Sequence, residues 1–190
     1  MPTAFAKKLA NTATKQYDLY RFNSEDDHPL KKQIAKYWGD LGLRFPGVNT
    51  AWSAVFISWC VQQAGATKAE FTFSPRHSEF VHDAIKNGLN QTGVFRAFSV
   101  EDYAPQLGDI IQNNRGGAKF GFNFARTHKG YASHSAIVID VGVDAKGGYA
   151  TTIGGNESDS VRRKMVRLDN KGLIRQRTSN PYIAVIQTLK

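Results

Sequence analysis

Three residues of this chain have the types and positions that nucleophilic chemistry requires: Ser53, His134 and Asn156. Ser53 lies in the first turn of a predicted helix over residues 50–65, where free N–H groups and the helix dipole favour negative charge. His134 opens an apolar strand, and Asn156 follows the next strand in a Gly-Gly-Asn turn. A nucleophile, a base and a group that orients the base form a triad, which is recognised by geometry and not by chain order. Serines near helix starts are commonly caps and strand histidines are commonly packed, so the residues alone leave those interpretations open.

The helix that carries Ser53 is predicted from a largely apolar stripe with i, i+3, i+4 and i+7 spacing. The stripe consists of Trp52, Val55, Phe56, Trp59, Cys60 and Gln63. Thr50 is the expected N-cap, and Gly65 is the expected residue at which the helix ends. Cys60 lies two turns beyond Ser53 on nearly the same face, about 10 Å further along the axis, so we expect a buried thiol and not a second nucleophile.

The surrounding elements are predicted to form an α+β domain, because helical patterns come first and β-branched runs follow. Other helices are expected over residues 3–20, 29–41 and 74–88. Strands of an antiparallel sheet are expected over residues 108–112, 134–143, 149–155, 160–168 and 182–189. The strand that begins at His134 is almost continuously apolar, so we expect it to be central and to continue through a hairpin at 144–148. Residues 1–28 are predicted to be an N-terminal helical extension, and residues 29–190 a single globular unit.

Composition limits the classes of function that this chain can have. The 190 residues carry a formal net charge of +9 with a pI near 9.7, which suits an anionic partner. The charge is spread along the chain, which disfavours nucleic acid and leaves a cell-wall polymer or a lipid surface. A single cysteine excludes an internal disulfide, and no His, Asp or Glu cluster has metal-ligand spacing. Neither a metal nor a cofactor is predicted.

The sequence also allows predictions about membrane insertion and export. No apolar run approaches the ~20 residues that span a bilayer, so no transmembrane segment is expected. The first residues, MPTAFAKKLANTATKQ, contain no apolar core of a signal peptide. We therefore expect a protein that is made in the cytoplasm and either stays there or leaves by a route that needs no cleaved signal.

Further candidate residues lie in a helix and in a long loop. His77 shares a predicted helix face with Phe80, which favours a packed core histidine, whereas His82 is off that face and is expected to be solvated. Residues 114–133 form a long loop rich in Gly, Arg and aromatic residues, and such loops are commonly functional. Its Arg115 and His128 are candidates for contact with an anionic substrate, with simple solvation as the alternative.

Four segments of the chain resemble segments of papain-like cell-wall hydrolases, the NlpC-type peptidases and CHAP amidases. They are AWSAVFISW around Ser53, PQLGDII before a strand, SHSAIVIDVG at His134 and IGGNESDSV at Asn156. In those enzymes the corresponding segments supply the nucleophile helix, a strand start, the base and the third triad residue. More closely, residues 29–190 resemble an uncharacterised bacterial branch of that superfamily, in which the helix reads Trp-Ser-Ala-Ala-Phe.

The resemblance implies a papain-like α+β fold, with N-terminal helices packed on an antiparallel sheet, and hydrolysis of an amide bond in peptidoglycan without a cofactor. It makes Ser53 the nucleophile, His134 the base and Asn156 the group that orients the base. The residues then expected to bind substrate are Trp52, His77, Arg115 and His128. Such an enzyme acts in the periplasm or cell wall. Together with the missing signal peptide, the resemblance implies an exported antibacterial effector, for example a type VI effector with an immunity protein and a secretion machinery as partners, or a phage lytic protein.

Ser53 stands where most of those relatives have cysteine, and three explanations are open. In the first, serine is the native nucleophile of this branch. In the second, the domain binds a wall fragment or a partner without turnover. In the third, serine replaces an original cysteine. Because some relatives act on lipids, a lipid acyl hydrolase or acyltransferase is a further class of function to be tested.

Overall fold

The computed structural model describes residues 1–190, in which four helices precede the first strand and a fifth, short helix lies between the second and third strands. The helices are α1 (Ala4–Tyr20), α2 (His28–Asp40), α3 (Ser53–Ala64), α4 (His77–Asn90) and α5 (Phe122–Thr127). The strands are β1 (Phe95–Ser99), β2 (Ile110–Asn114), β3 (Ser133–Asp144), β4 (Gly147–Glu157), β5 (Ser160–Arg167) and β6 (Tyr182–Thr188). The predicted α+β class is therefore confirmed.

The strands form one six-stranded antiparallel sheet in the order β1-β6-β2-β3-β4-β5. β3 pairs with β2 on one side and with β4 on the other, which confirms its predicted central position. The β3–β4 pairing continues to Asp144 and Gly147, so the predicted hairpin is also confirmed. Gly147 has a φ of +104°, a backbone conformation that a tight hairpin requires and that glycine adopts without a steric penalty.

α3 contacts α1, α2, β3 and β4, and it is buried on almost all sides. Every residue from Ser53 to Val61 is buried, so the helix is not the amphipathic one that its apolar stripe predicts. The predicted cap is wrong as well, because the helix begins at Ser53 and Trp52 occupies the N-cap position instead of Thr50. Gly65 ends the helix with a φ of +112°, as predicted.

α3 packs closely against β4 at Gly155, where a side chain would prevent the contact. A Cβ atom on Gly155 would lie 2.6 Å from Cζ3 of Trp52 and 2.7 Å from Cβ of Phe56. A Cβ atom on Gly154 would lie 2.9 Å from Nε2 of His134. Because real Cβ atoms do not approach other heavy atoms this closely, Gly155 sets the distance between the helix start and the sheet, and Gly154 leaves room for the His134 ring.

α1 belongs to the same core as α3. Its side chains Phe5, Leu9 and Ala13 are buried in one cluster with those of α3. The end of α1 also contacts β5, where the Ser160 hydroxyl donates a hydrogen bond to the Tyr20 carbonyl at 3.2 Å. The predicted N-terminal extension is therefore packed into the domain.

Two elements lie outside the sequence prediction. β1 is a short strand that pairs with β6, and α5 lies within the long loop between β2 and β3. The expectation that His82 is solvated is wrong, because α5 covers this ring and the Ala125 carbonyl lies 3.2 Å from its Nδ1 atom. None of the helices combines the length and the apolar content that a membrane span requires.

We expect Gly155→Ala to lower the free energy of unfolding by about 1–3 kcal/mol, because the added methyl group overpacks the contact between α3 and β4. Urea unfolding followed by circular dichroism measures this change. Gly130→Ala is the matched control, because a Cβ atom at that position meets no atom within 4 Å. The control should change the free energy of unfolding by less than about 0.5 kcal/mol, and equal stability of the two variants would contradict the close contact.

Candidate active site

Ser53 is the first residue of α3 and lies in a pocket between α3, the start of α4 and the start of β3. This cavity, the Ser53 pocket, has a volume of about 430 Å³ and its lining includes Ser53, Arg76, His77, Arg115, Tyr131 and Ser133. Only 2% of Ser53 is exposed. Its place at the helix start brings its hydroxyl close to backbone N–H groups that have no acceptor within the helix.

His77, and not His134, makes the hydrogen bond to the Ser53 hydroxyl. Nε2 of His77 lies 2.7 Å from Oγ of Ser53, which makes no hydrogen bond to His134. Burial holds the pKa of His77 well below its ordinary value, and the positive charges of His134 and Arg115 lower it further. The His77 ring is therefore neutral near pH 7, and its Nε2 can accept the hydroxyl proton when Nδ1 carries the ring proton. Nδ1 is buried and has no hydrogen-bond partner.

His134 lies beside His77 and is held by a carboxylate. The two ring centroids are 5.4 Å apart with an interplanar angle of 62°. Nε2 of His134 lies 2.8 Å from Oε1 of Glu157, and the other oxygen of that carboxylate forms an ion pair with Lys164 at 2.6 Å. Burial acts to raise the pKa of Glu157, but the hydrogen bonds and charges of His134 and Lys164 outweigh it and hold this pKa below the ordinary value. Glu157 is therefore an ionised partner of His134.

Glu157 thus occupies the position beside His134 that the sequence assigns to Asn156. The strand register shifts between Gly154 and Glu157, and Asn156 has a φ of +55° in the left-handed region. Such a bulge changes which side chain faces a given side of the strand. It directs the Glu157 carboxylate to His134, while the Asn156 amide donates to Oε2 of Glu25 at 2.7 Å. The expectation that Asn156 orients the His134 ring does not fit this geometry.

Glu25 joins the two segments that carry the candidate residues. Its Oε2 atom accepts hydrogen bonds from Nε1 of Trp52 at 2.8 Å and from Nδ2 of Asn156 at 2.7 Å. Trp52 directly precedes Ser53, and Asn156 directly precedes Glu157. One carboxylate between α1 and α2 therefore fixes the start of α3 relative to the bulge of β4.

The remaining predicted substrate-binding residues have different surroundings. Arg115 lines the Ser53 pocket, and its charge acts on His77. Trp52 is fully buried, so it supports the start of α3 and does not line the pocket. His128 is exposed, stacks on Phe124 with ring centroids 3.9 Å apart, and lies outside the pocket lining.

Other potential reactive groups lie away from the pocket. Cys60 is fully buried, as predicted, and burial raises the pKa of its thiol well above the ordinary value. No group of three or more His, Cys, Asp or Glu side chains is placed to hold a metal ion.

Sequence reasoning misses two carboxylates of the site, Glu157 and Glu25. Glu157 directly follows the Gly-Gly-Asn segment, and a bulge at that segment would have made the next residue a candidate. Glu25 carries no comparable signal, because its partner Asn156 is 131 positions away in the chain.

One protein family matches most of the chain. Residues 16–185 match a family described as an uncharacterised protein conserved in bacteria, DUF2272. The chain belongs to this family. The DUF2272 region begins within α1 and ends within β6, so it contains Ser53, both site histidines and Glu157. No curated protein and no solved structure matches the chain.

We expect Glu25→Ala to lower the free energy of unfolding by about 1–3 kcal/mol, because two N–H donors lose their acceptor. Glu25→Gln should restore most of this stability, because its amide oxygen can accept from the same donors. Urea unfolding of the three proteins measures the differences. Asp26→Ala is the matched control, because the neighbouring Asp26 side chain is exposed, and a loss of stability as large as that of Glu25→Ala would contradict the specific role of Glu25.

The pKa of His77 predicts a dependence of stability on pH. The folded-state pKa lies below the ordinary value of 6.5, so the unfolded chain binds the proton first as the pH falls. The free energy of unfolding should therefore decrease as the pH falls below about 6.5, by at most about 1.4 kcal/mol for each pH unit.

The variant His77→Gln keeps a polar group at this position but cannot titrate, so it should lose less stability than the wild type between roughly pH 7.5 and pH 5. Urea unfolding at several pH values tests this difference. Parallel pH profiles for the two proteins would show that His77 is not neutralised by burial in the folded state.

Proposed function

We propose that this DUF2272 protein is a peptidoglycan hydrolase that cuts an amide bond with Ser53 as its nucleophile. The observation that carries the proposal is the 2.7 Å contact between Oγ of Ser53 and Nε2 of His77. A nucleophile at a helix start, with a neutral imidazole in hydrogen-bond reach, suits attack on a carbonyl carbon. The adjoining pair of His134 and Glu157 supplies a second proton carrier.

In the proposed acylation step, Oγ of Ser53 forms a bond to the carbonyl carbon and Nε2 of His77 takes the hydroxyl proton. Backbone N–H groups at the start of α3 stabilise the resulting oxyanion. The C–N bond then breaks, and protonated His134 gives a proton to the leaving amine. Because Glu157 occupies Nε2 of His134, Nδ1 is the nitrogen that gives this proton. The ionised Glu157 holds the ring in place through its contact with Nε2.

In the proposed deacylation step, a water molecule attacks the acyl group on Ser53 and His134 takes the proton of that water. The bond between the acyl carbon and Oγ breaks, and His77 returns its proton to Oγ. Both histidines then regain their starting protonation, so one water is consumed for each amide bond cut. When His77 becomes protonated, its charge is repelled by the charge of the protonated His134. This repulsion disappears when His134 gives its proton to the amine.

The surface charge and the chemistry of the pocket support a wall peptide as substrate. The net charge is +9, and the pocket lining includes Arg76 and Arg115. Peptidoglycan peptides carry carboxylates, which arginine side chains bind well. The helix-start nucleophile, the strand histidine and the acid that follows on the next strand also support the resemblance to papain-like wall hydrolases.

A second candidate is a wall-binding domain of the same fold without turnover. The observation that favours it is the burial of Ser53, of which only 2% is exposed, because a substrate carbonyl must reach its Oγ atom. Both candidates use the Ser53 pocket, and they differ only in whether a bond is cut.

Ser53→Ala should lower the rate of fragment release from purified sacculi by about 10⁴-fold or more, because the nucleophile is lost. Ser53→Cys should retain release, since a thiol can replace the hydroxyl as nucleophile. His77→Gln and His134→Gln should each lower release, the first by removing the proton acceptor and the second by removing the donor to the leaving amine. Mass spectrometry of the soluble fragments measures release and identifies the bond.

Ser24→Ala is the matched control, because this serine is exposed and outside the pocket, and it should release fragments at the wild-type rate. Full activity of Ser53→Ala would rule out Ser53 as nucleophile. Pelleting of the wild type with sacculi, without release, would favour the binding domain. Release of fatty acids from phospholipid vesicles, without action on sacculi, would instead establish a lipid acyl hydrolase.

A further inference from the structure

A second cavity, the sheet groove, begins on the other side of His134. It has a volume of about 400 Å³, and its lining includes Asn113, Arg115, His134, Thr152, Lys164 and Arg177. Residues of β2, β3, β4 and β5 that alternate along their strands contribute to it, so the groove lies over one face of the sheet. The proposed acylation chemistry uses only the edge of this groove, at His134.

The sheet groove contains positive charge that no carboxylate of the protein neutralises. Its acidic residue, Glu157, is already engaged by His134 and Lys164. Arg115 and Arg177 line the groove, and neither takes part in a salt bridge. Arg177 is held in place, because its guanidinium lies 4.4 Å from the Tyr182 ring centroid and its Nε atom donates to the Asn180 carbonyl.

Arg115 connects the sheet groove with the Ser53 pocket. It is the arginine that lines both cavities, and its charge lowers the pKa of His77. A ligand group bound at Arg115 would therefore lie close to the atoms that the proposed reaction uses. An anion at this position would also offset the effect of Arg115 on His77 and make His77 a better proton acceptor.

The lining of the sheet groove indicates what kind of anion it suits. Only 5 of its 16 lining residues are hydrophobic, so the groove does not suit a fatty acyl chain. Side chains such as Asn113 and Ser179 can exchange hydrogen bonds with the backbone of a peptide. Guanidinium groups bind planar carboxylates through two parallel hydrogen bonds.

We propose that the sheet groove is a subsite for the acidic part of a peptide substrate, in which Arg115 binds a free carboxylate next to the amide bond that Ser53 attacks. Arg177 binds a second carboxylate further along the groove. This proposal rests on the proposed function for the identity of the bond that is cut, but the binding itself does not require turnover. The substrate class is a peptide whose amide bond is flanked by free carboxylates.

Binding to Ser53→Ala tests the subsite without hydrolysis. The probes are the tripeptide L-Ala-γ-D-Glu-L-Lys with free carboxylates and the same tripeptide with both carboxylates amidated. Calorimetric titration should give a Kd for the free acid that is about 10- to 100-fold lower than for the amidated peptide. Adding Arg115→Gln should remove most of this preference by weakening only the free acid. Arg126→Gln is the matched control, because this exposed arginine of the same loop lines neither cavity, and the preference should remain.

The outcomes separate the subsite from the proposed function. Equal Kd values for the two peptides, or an equal weakening of both by Arg115→Gln, would overturn the subsite. A preference for the free acid that depends on Arg115 would support the subsite even if the wild type released nothing from sacculi. Release from sacculi by a wild type that binds both peptides equally would leave the hydrolase in place and remove the subsite.

Discussion

The close packing of α3 on β4 is the contact on which the candidate site depends. A helix start and a strand normally keep the distance that their side chains impose. Because Gly155 has no side chain, Trp52 and Phe56 of the helix start approach the backbone of β4 more closely. Gly154 makes room for the pair of His134 and Glu157. Because both glycines are on one strand, the same short segment sets the position of the nucleophile and of the second histidine. The Glu25 carboxylate accepts hydrogen bonds from Trp52 at the helix start and from Asn156 of β4, so it holds the two elements together.

The two histidines of the site have opposite electrostatic surroundings. His77 is buried and faces the positive charges of Arg115 and His134, so its neutral form is favoured. His134 is instead hydrogen-bonded through Nε2 to the ionised carboxylate of Glu157. In the proposed reaction the buried His77 is the proton acceptor, and His134, beside the carboxylate, is the proton donor. The proposed reaction cycle uses this difference directly.

The order of the helices and strands was accessible from local patterns, because Pro29, Gly65 and the apolar run after His134 each act within a few residues. The details of the site were not accessible in this way. Glu157 contacts His134 in place of Asn156 because β4 contains a bulge. A bulge leaves the residue pattern of the strand almost unchanged, so the sequence does not reveal it. The bond between Ser53 and His77 depends on how α3 and α4 pack, and the role of Glu25 depends on contacts far apart in sequence. Long-range packing decided each of these points.

The unpartnered Nδ1 atom of His77 has a consequence for the evolution and engineering of this domain. A buried polar atom without a hydrogen bond costs about 1–3 kcal/mol of folding free energy. Apolar side chains in place of both His77 and its partner Ser53 would avoid that cost without leaving a buried hydroxyl unbonded, so a screen for thermal stability alone would tend to select against the histidine. A screen for activity would retain it under the proposed chemistry. The pocket is thus a place where the most stable sequence and the most active sequence are expected to differ.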